Sequence, residues 1–93
     1  MNIRQIAKDA ALIIIDVRSS TEYNTGHLKG EVNIPLDQLT ARAKEIQGLG
    51  TSPVIFYCRS GNRSGMAASI LQQKGIKNIY NGGSLDNIQN LLN

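Results

Sequence analysis

Cys58 is the only cysteine of the chain, and it opens a polar run, Cys58-Arg59-Ser60-Gly61-Asn62-Arg63-Ser64, directly after the apolar tetrapeptide Val54-Ile55-Phe56-Tyr57. A loop that joins a buried strand to a helix can aim successive backbone N–H groups, together with the helix's positive end, at one point. A thiol at that point should have its pKa lowered from about 8.5 into the range of roughly 3.5–7.5. At a pKa of about 6.5 roughly three quarters of it is thiolate at pH 7, against about 3% for an unperturbed thiol. Such a sulfur is a nucleophile, and the loop around it is a receptor for anions. Arg59 and Arg63 add positive charge where they face the sulfur. The ordinary fate of a free cysteine is to end a strand as a small buried hydrophobe. An inert core cysteine, however, has no need of two arginines, a glycine and a polar loop immediately after it.

Other residues could support such a site. Asp16 and Arg18 end an apolar run and should meet in a salt bridge or anchor a loop, since a carboxylate near a buried strand needs a partner. Glu22 should cap its helix or pair with Arg18. His27 invites comparison with a Cys-His arrangement, but a histidine between Gly26 and Gly30 more often fixes a turn. Gly82-Gly83 should form a turn, with some proximity to the site. One cysteine and one histidine exclude an intramolecular disulfide and a structural zinc centre.

The elements that must position these residues follow from the apolar pattern. Residues 12–17 are apolar except for Asp16 and rich in isoleucine, which predicts a strand buried on both faces. In Ser19-Ser20-Thr21-Glu22 a serine precedes a glutamate by three positions, the reciprocal capping pattern that opens a helix. Gly26-His27-Leu28-Lys29-Gly30 is a turn, and residues 32–34 a short strand. Pro35 can start a helix with Leu36, Leu39, Ala43 and Ile46 on its buried face, ended by Gly48, Gly50 and Pro53. Residues 54–57 are the second buried strand, and residues 58–63 a polar loop. From Ser64 a helix should bury Met66, Ala67, Ile70 and Leu71 and stop at Gly75. Residues 77–80 are a last strand, and Leu85, Ile88, Leu91 and Leu92 mark the apolar side of a terminal helix. Strands alternating with helices predict a small α/β sandwich around a mostly parallel sheet, with helices on both faces. Ligands of such sheets bind beyond the carboxyl ends of the strands, where Cys58 lies.

Composition narrows the partners. The 93 residues suffice for one domain, residues 1–93, with no internal linker or repeat. Size scaling predicts a folded surface of roughly 5,300 Å². With 41% hydrophobic and 18% charged residues the chain is neither disordered nor membrane-spanning. Its net charge of +3, without a run of cations, suits small anions better than a nucleic acid. Four scattered aromatics, Tyr23, Phe56, Tyr57 and Tyr80, form no base-stacking platform. The six apolar residues 10–15 fall short of a signal-peptide core of about 7–15. A cytoplasmic protein is therefore the expectation, with a processed secreted form left open, and a free thiol agrees with a reducing compartment.

The loop resembles the active loop of the rhodanese-like sulfurtransferases. Ile15-Asp16-Val17-Arg18, Glu22-Tyr23, Gly26-His27-Leu28-Lys29-Gly30, Asn33-Ile34-Pro35 and Tyr80-Asn81-Gly82-Gly83 agree with that family in order and spacing, so the likeness runs over about residues 12–83. Glu31 stands where the family commonly has a small residue. The tryptophan often found after the double glycine is absent, leaving Leu85 or Ile88 to close that side.

The resemblance implies a rhodanese-like sandwich and a ping-pong transfer of sulfur. Cys58 would attack the outer sulfur of a donor such as thiosulfate, release sulfite and hold a persulfide. A thiophilic acceptor, cyanide or a small-molecule or protein thiol, would then remove the outer sulfur. Backbone amides of residues 59–63 would stabilise the terminal sulfur's charge as an oxyanion hole stabilises oxygen. Arg59 and Arg63 would bind the sulfonate end of thiosulfate, with Ser60, Gly61, Asn62 and Ser64 completing the anion-binding loop. No metal or organic cofactor is implied. Two other readings stay open. Cysteine-dependent phosphatases and arsenate reductases place an arginine after five intervening residues, whereas here four precede Arg63 and Ser64 stands in the arginine's place. A persulfide carrier or interaction module without enzymatic turnover would carry an identical loop.

Overall fold

The computed structural model describes residues 2–93. Along the chain run α1 (Ile3–Ile6), β1 (Ile13–Asp16), α2 (Ser20–Thr25), β2 (Val32–Asn33), a 3-10 turn (Leu36–Gln38), α3 (Ala43–Gln47), β3 (Val54–Cys58), α4 (Asn62–Gln73), β4 (Ile79–Ser84) and α5 (Leu85–Leu92). The sheet has the order β2-β1-β3-β4, and every pairing in it is parallel. Parallel strands share one carboxyl edge, so Asp16, Asn33, Cys58 and Ser84 all arrive at the same rim.

Strand β3 is buried on both faces, as its apolar run requires, and its side chains alternate between two cores. Val54, Phe56 and Cys58 join Ile15, Val17, Ile34, Leu39, Ile46 and the α4 residues Ala67, Ala68 and Leu71. Ile55 and Tyr57 pack on the other face with Ile6 of α1 and Ile88 of α5. The molecule exposes 5536 Å², close to the surface expected for a folded chain of this length.

Local signals act where the sequence carries them. Ser19 caps α2, its hydroxyl accepting from the Glu22 amide while the Glu22 carboxylate accepts from the Ser19 amide. Gly75, at φ +84°, ends α4. There the Ile76 amide reaches the Leu71 carbonyl and the Gly75 amide that of Gln72, the paired bonds of a Schellman turn.

Several expectations are corrected. The helix predicted from Pro35 is broken into the 3-10 turn and the short α3, although Leu39 and Ile46 are buried as its spacing required. Contacts from each residue to the third one on, such as Leu39 N–H to Leu36 O, tighten the chain as Leu39 enters the core. Helix α4 starts at Asn62, two residues before Ser64, because Gly61 in a left-handed conformation turns the chain into it at once. Met66 is 57% exposed and Ile70 only half-buried, so small Ala67 and Ala68 carry the contact with the sheet. Gly82-Gly83 is no turn but part of β4, which starts at Ile79 and runs on to Ser84. A Cβ at Gly82 would collide with Ile88 and Ile55, so packing selects that glycine, and Ile88 closes the side where a tryptophan is missing. Helix α1 is an addition: Asn2 and Gln5 cap it reciprocally, a signal present in the sequence but passed over.

Candidate active site

Cys58 is the last residue of β3, wholly buried, and its sulfur lies under the turn into α4. Gly61, at φ +96°, points its amide at the sulfur from 2.9 Å. A Cβ there would come within 3.3 Å of the Gly83 Cα, so both conformation and space call for glycine. The Ser64 amide lies 3.5 Å from the sulfur and its hydroxyl 3.4 Å away. Burial pushes the thiol pKa up, but the Ser64 hydroxyl and the amides of Ser64, Ser60 and Gly61 outweigh it, and the net shift is downward. The amides that act on the Cys58 sulfur itself are those of Ser60, Gly61 and Ser64.

The two arginines of the loop part company. Arg63 is held by Glu22 in a two-pronged pair, Nη1 to Oε1 at 2.6 Å and Nη2 to Oε2 at 2.9 Å. The Arg63 guanidinium, with the Ser19 amide, holds the Glu22 carboxyl down at about 2. Glu22 therefore caps α2 as expected, but its cationic partner is Arg63 and not Arg18. Arg59 is exposed, and among the described residues it forms no salt bridge. Beside the loop opens a hollow of about 360 Å³ lined by Val17, Ser19, Pro35, Leu36, Asp37 and Arg63. Asn62 is exposed in the first turn of α4.

Asp16 and Arg18 form the expected salt bridge at the end of β1, Nη2 to Oδ2 at 2.7 Å, and both are buried. A further Arg18 bond, Nη2 to the Gly26 carbonyl at 2.7 Å, ties down the turn after α2. His27 stacks on Tyr23 with ring centroids 3.7 Å apart, and its Nδ1 lies 2.9 Å from the Tyr23 carbonyl. It shares no hydrogen bond with Cys58 and serves the turn, as its setting between glycines suggested.

Two residues that sequence reasoning did not place in a role stand close by. Asn81 bonds to Ser64, Gly61 and Gly83, bridging β4 to the loop. Its place just before the double glycine was the available signal. Glu31 meets the Tyr57 hydroxyl at 2.7 Å, and the same hydroxyl lies 3.1 Å from Asp16 Oδ2. The other Glu31 oxygen is buried and has no hydrogen-bond partner among the described residues. Burial above all pushes the Glu31 carboxyl up to about 7. The Asp16 charge adds to this, and the Tyr57 hydroxyl, His27 and Arg18 act against it. Burial, then the two carboxylates, raise Tyr57 well above an ordinary phenol, so it keeps its proton.

Among the described residues no group of three His, Cys, Asp or Glu side chains could hold a metal ion, and no helix is long and apolar enough to cross a membrane. Comparison with known proteins places the chain. YqhL of Bacillus subtilis (strain 168), an uncharacterized protein, is 46% identical over 68 residues, 73% of this chain, and the chain spans 52% of its length. The thiosulfate sulfurtransferase PspE of Escherichia coli (strain K12) is 35% identical over 74 residues, 80% of this chain and 71% of PspE. A rhodanese from E. coli, solved with anions, superposes with a TM-score of 0.75 at 33% identity, covering 82% of this chain and 89% of that one. With an all-parallel sheet delivering its one thiol into a strand-to-helix loop, and with the family profile of the rhodanese-like domain matching residues 3–89, the chain belongs to the rhodanese-like domain family.

Proposed function

We propose that the protein is a sulfurtransferase that carries sulfane sulfur on Cys58. The carrying observation is the convergence of the Gly61 and Ser64 amides and the Ser64 hydroxyl on one sulfur at the carboxyl edge of the sheet. The Cys58 thiolate attacks the outer sulfur of thiosulfate, a new S–S bond forms, and the donor's own S–S bond breaks with its electron pair leaving on sulfite. A thiol or cyanide then attacks the outer sulfur of the persulfide, and the electron pair of that S–S bond returns to Cys58 as thiolate. The Gly61 and Ser64 amides, fixed by the backbone, stabilise the anionic sulfur in both half-reactions without reorganising. Arg59, exposed and without a salt bridge among the described residues, meets the sulfonate end of the donor, while Arg63, neutralised by Glu22, braces the loop against α2. The likeness to PspE, a thiosulfate sulfurtransferase, supports this donor.

Mass spectrometry after thiosulfate treatment tests the reading: one added sulfur, about 32 Da, on Cys58, removable by cyanide. Absence of cyanolysable sulfur on Cys58 refutes it. The complete burial of Cys58 also suits a carrier that gives up its sulfur only to a docked partner. Repeated turnover of thiosulfate with a small acceptor identifies an enzyme, whereas a single loading identifies a carrier. The site of action we infer is the cytoplasm, whose reducing conditions keep a lone thiol free.

A further inference from the structure

Ser64 is wholly buried, and three acceptors surround its hydroxyl: Asn81 Oδ1 at 2.6 Å, the Gly61 carbonyl at 3.2 Å and Cys58 Sγ at 3.4 Å. A serine hydroxyl has one hydrogen to give. The orientation of Asn81 is decided by its other partners. Its Oδ1 accepts from the Gly83 amide at 2.9 Å, and its Nδ2 donates to the Gly61 carbonyl at 3.2 Å. Flipping the amide would set donor against donor at Gly83 and acceptor against acceptor at Gly61. Asn81 therefore offers Ser64 an oxygen, at the shortest of the three distances, and takes the hydrogen. In that arrangement Ser64 turns a lone pair toward the sulfur, which suits a thiol that donates and opposes a thiolate that must accept.

We propose that Asn81 is a positioning residue that holds the Ser64 hydroxyl hydrogen away from Cys58, so that thiol ionisation is coupled to rotation of that hydroxyl from Asn81 to the sulfur. The use of this coupling in sulfur transfer rests on the function proposed above; the coupling itself concerns only the thiol. When the thiol gives its proton to solvent, the Ser64 hydroxyl turns to Sγ. Asn81 Oδ1 keeps the Gly83 N–H, and because Asn81 is exposed, water replaces the bond it gives up. The donation by Ser64 that favours the thiolate is thus set against a competing acceptor, and Asn81 keeps the thiol less ionised than the cradle alone would.

The pH dependence of alkylation by iodoacetamide reads the ionisation of Cys58 directly, since no other cysteine is present. Asn81→Leu covers Ser64 without offering an acceptor. Its midpoint falls, giving about threefold to tenfold more thiolate below the midpoint, the weight of one hydrogen bond. In a Ser64→Ala background the same substitution leaves the midpoint unmoved, because the hydroxyl through which Asn81 acts is gone. A midpoint that rises or stays in Asn81→Leu, or an equal fall in both backgrounds, overturns the proposal. If Asn81→Leu does not fold, Asn81→Ala carries the same cycle. Persulfide loading, measured separately by mass, reports on the sulfur-transfer reading whatever the cycle gives.

Discussion

The Tyr57 hydroxyl stands between two carboxyl groups with one hydrogen to share, 2.7 Å from Glu31 and 3.1 Å from Asp16. Asp16 already accepts from the Arg18 amide, Nε and Nη2, so it is the carboxylate with a matched cation. If Glu31 were also charged, one contact with Tyr57 would set lone pair against lone pair, and its buried second oxygen would carry charge without a donor. A neutral Glu31 resolves both: it donates to Tyr57, which donates to Asp16. The carboxyl, pushed up to about 7 in the folded protein and near 4.5 when unfolded, then couples folding to pH. For an acid whose folded pKa is raised, the stabilisation is fully present below the unfolded value and is lost as pH rises through the folded one. Taken whole, the shift corresponds to about 3 kcal/mol, and solvent reaching a half-buried group leaves about 2 kcal/mol. Glu31→Gln keeps a donor for Tyr57 and cannot ionise. Thermal melts from pH 4 to 9 should show the two proteins together at the acid end. The variant should then pull ahead between about pH 5 and 7, reaching roughly 10 °C at pH 8. Parallel melting curves across the range, or a variant less stable at pH 8, would refute the proton assignment.

Three further outcomes are expected. Arg59→Ala should raise KM for thiosulfate by about threefold with little change in Tm, because an exposed cation contributes to binding more than to folding; an unchanged KM removes it from substrate binding. Glu22→Gln should lower stability by about 1 kcal/mol at pH 7, since the pair with Arg63 is only partly buried. That gap should close as acid takes wild-type Glu22 from about 4.5 down through its folded pKa of about 2, and a gap that persists in acid melts refutes the pairing. Phosphate monoesters should not be hydrolysed, because Ser64 fills the place of a phosphate-gripping arginine and Arg63 is engaged by Glu22; turnover of p-nitrophenyl phosphate would reopen that activity.

What the sequence determined by itself is local or periodic. The strand buried on both faces at residues 54–57, the Ser19 cap, the glycine stop at Gly75 and the loop opening at Cys58 depend on neighbours within a few positions, and spacing alone reveals them. The parallel α/β layout follows from the alternation of such pieces. Tertiary structure decided whatever depended on distant chain. The partner of Arg63 is 41 residues away, and only the folded chain brings Glu22 to it rather than leaving Arg63 to an anion. Gly82 looked like a turn because the atoms that forbid its Cβ, in Ile55 and Ile88, are remote in sequence. Glu31 and Asn81 became part of the site's surroundings only when the sheet set them against Tyr57 and Ser64. Charge and hydrogen-bond competition act through space at a few ångströms, and one-dimensional spacing carries no measure of that distance.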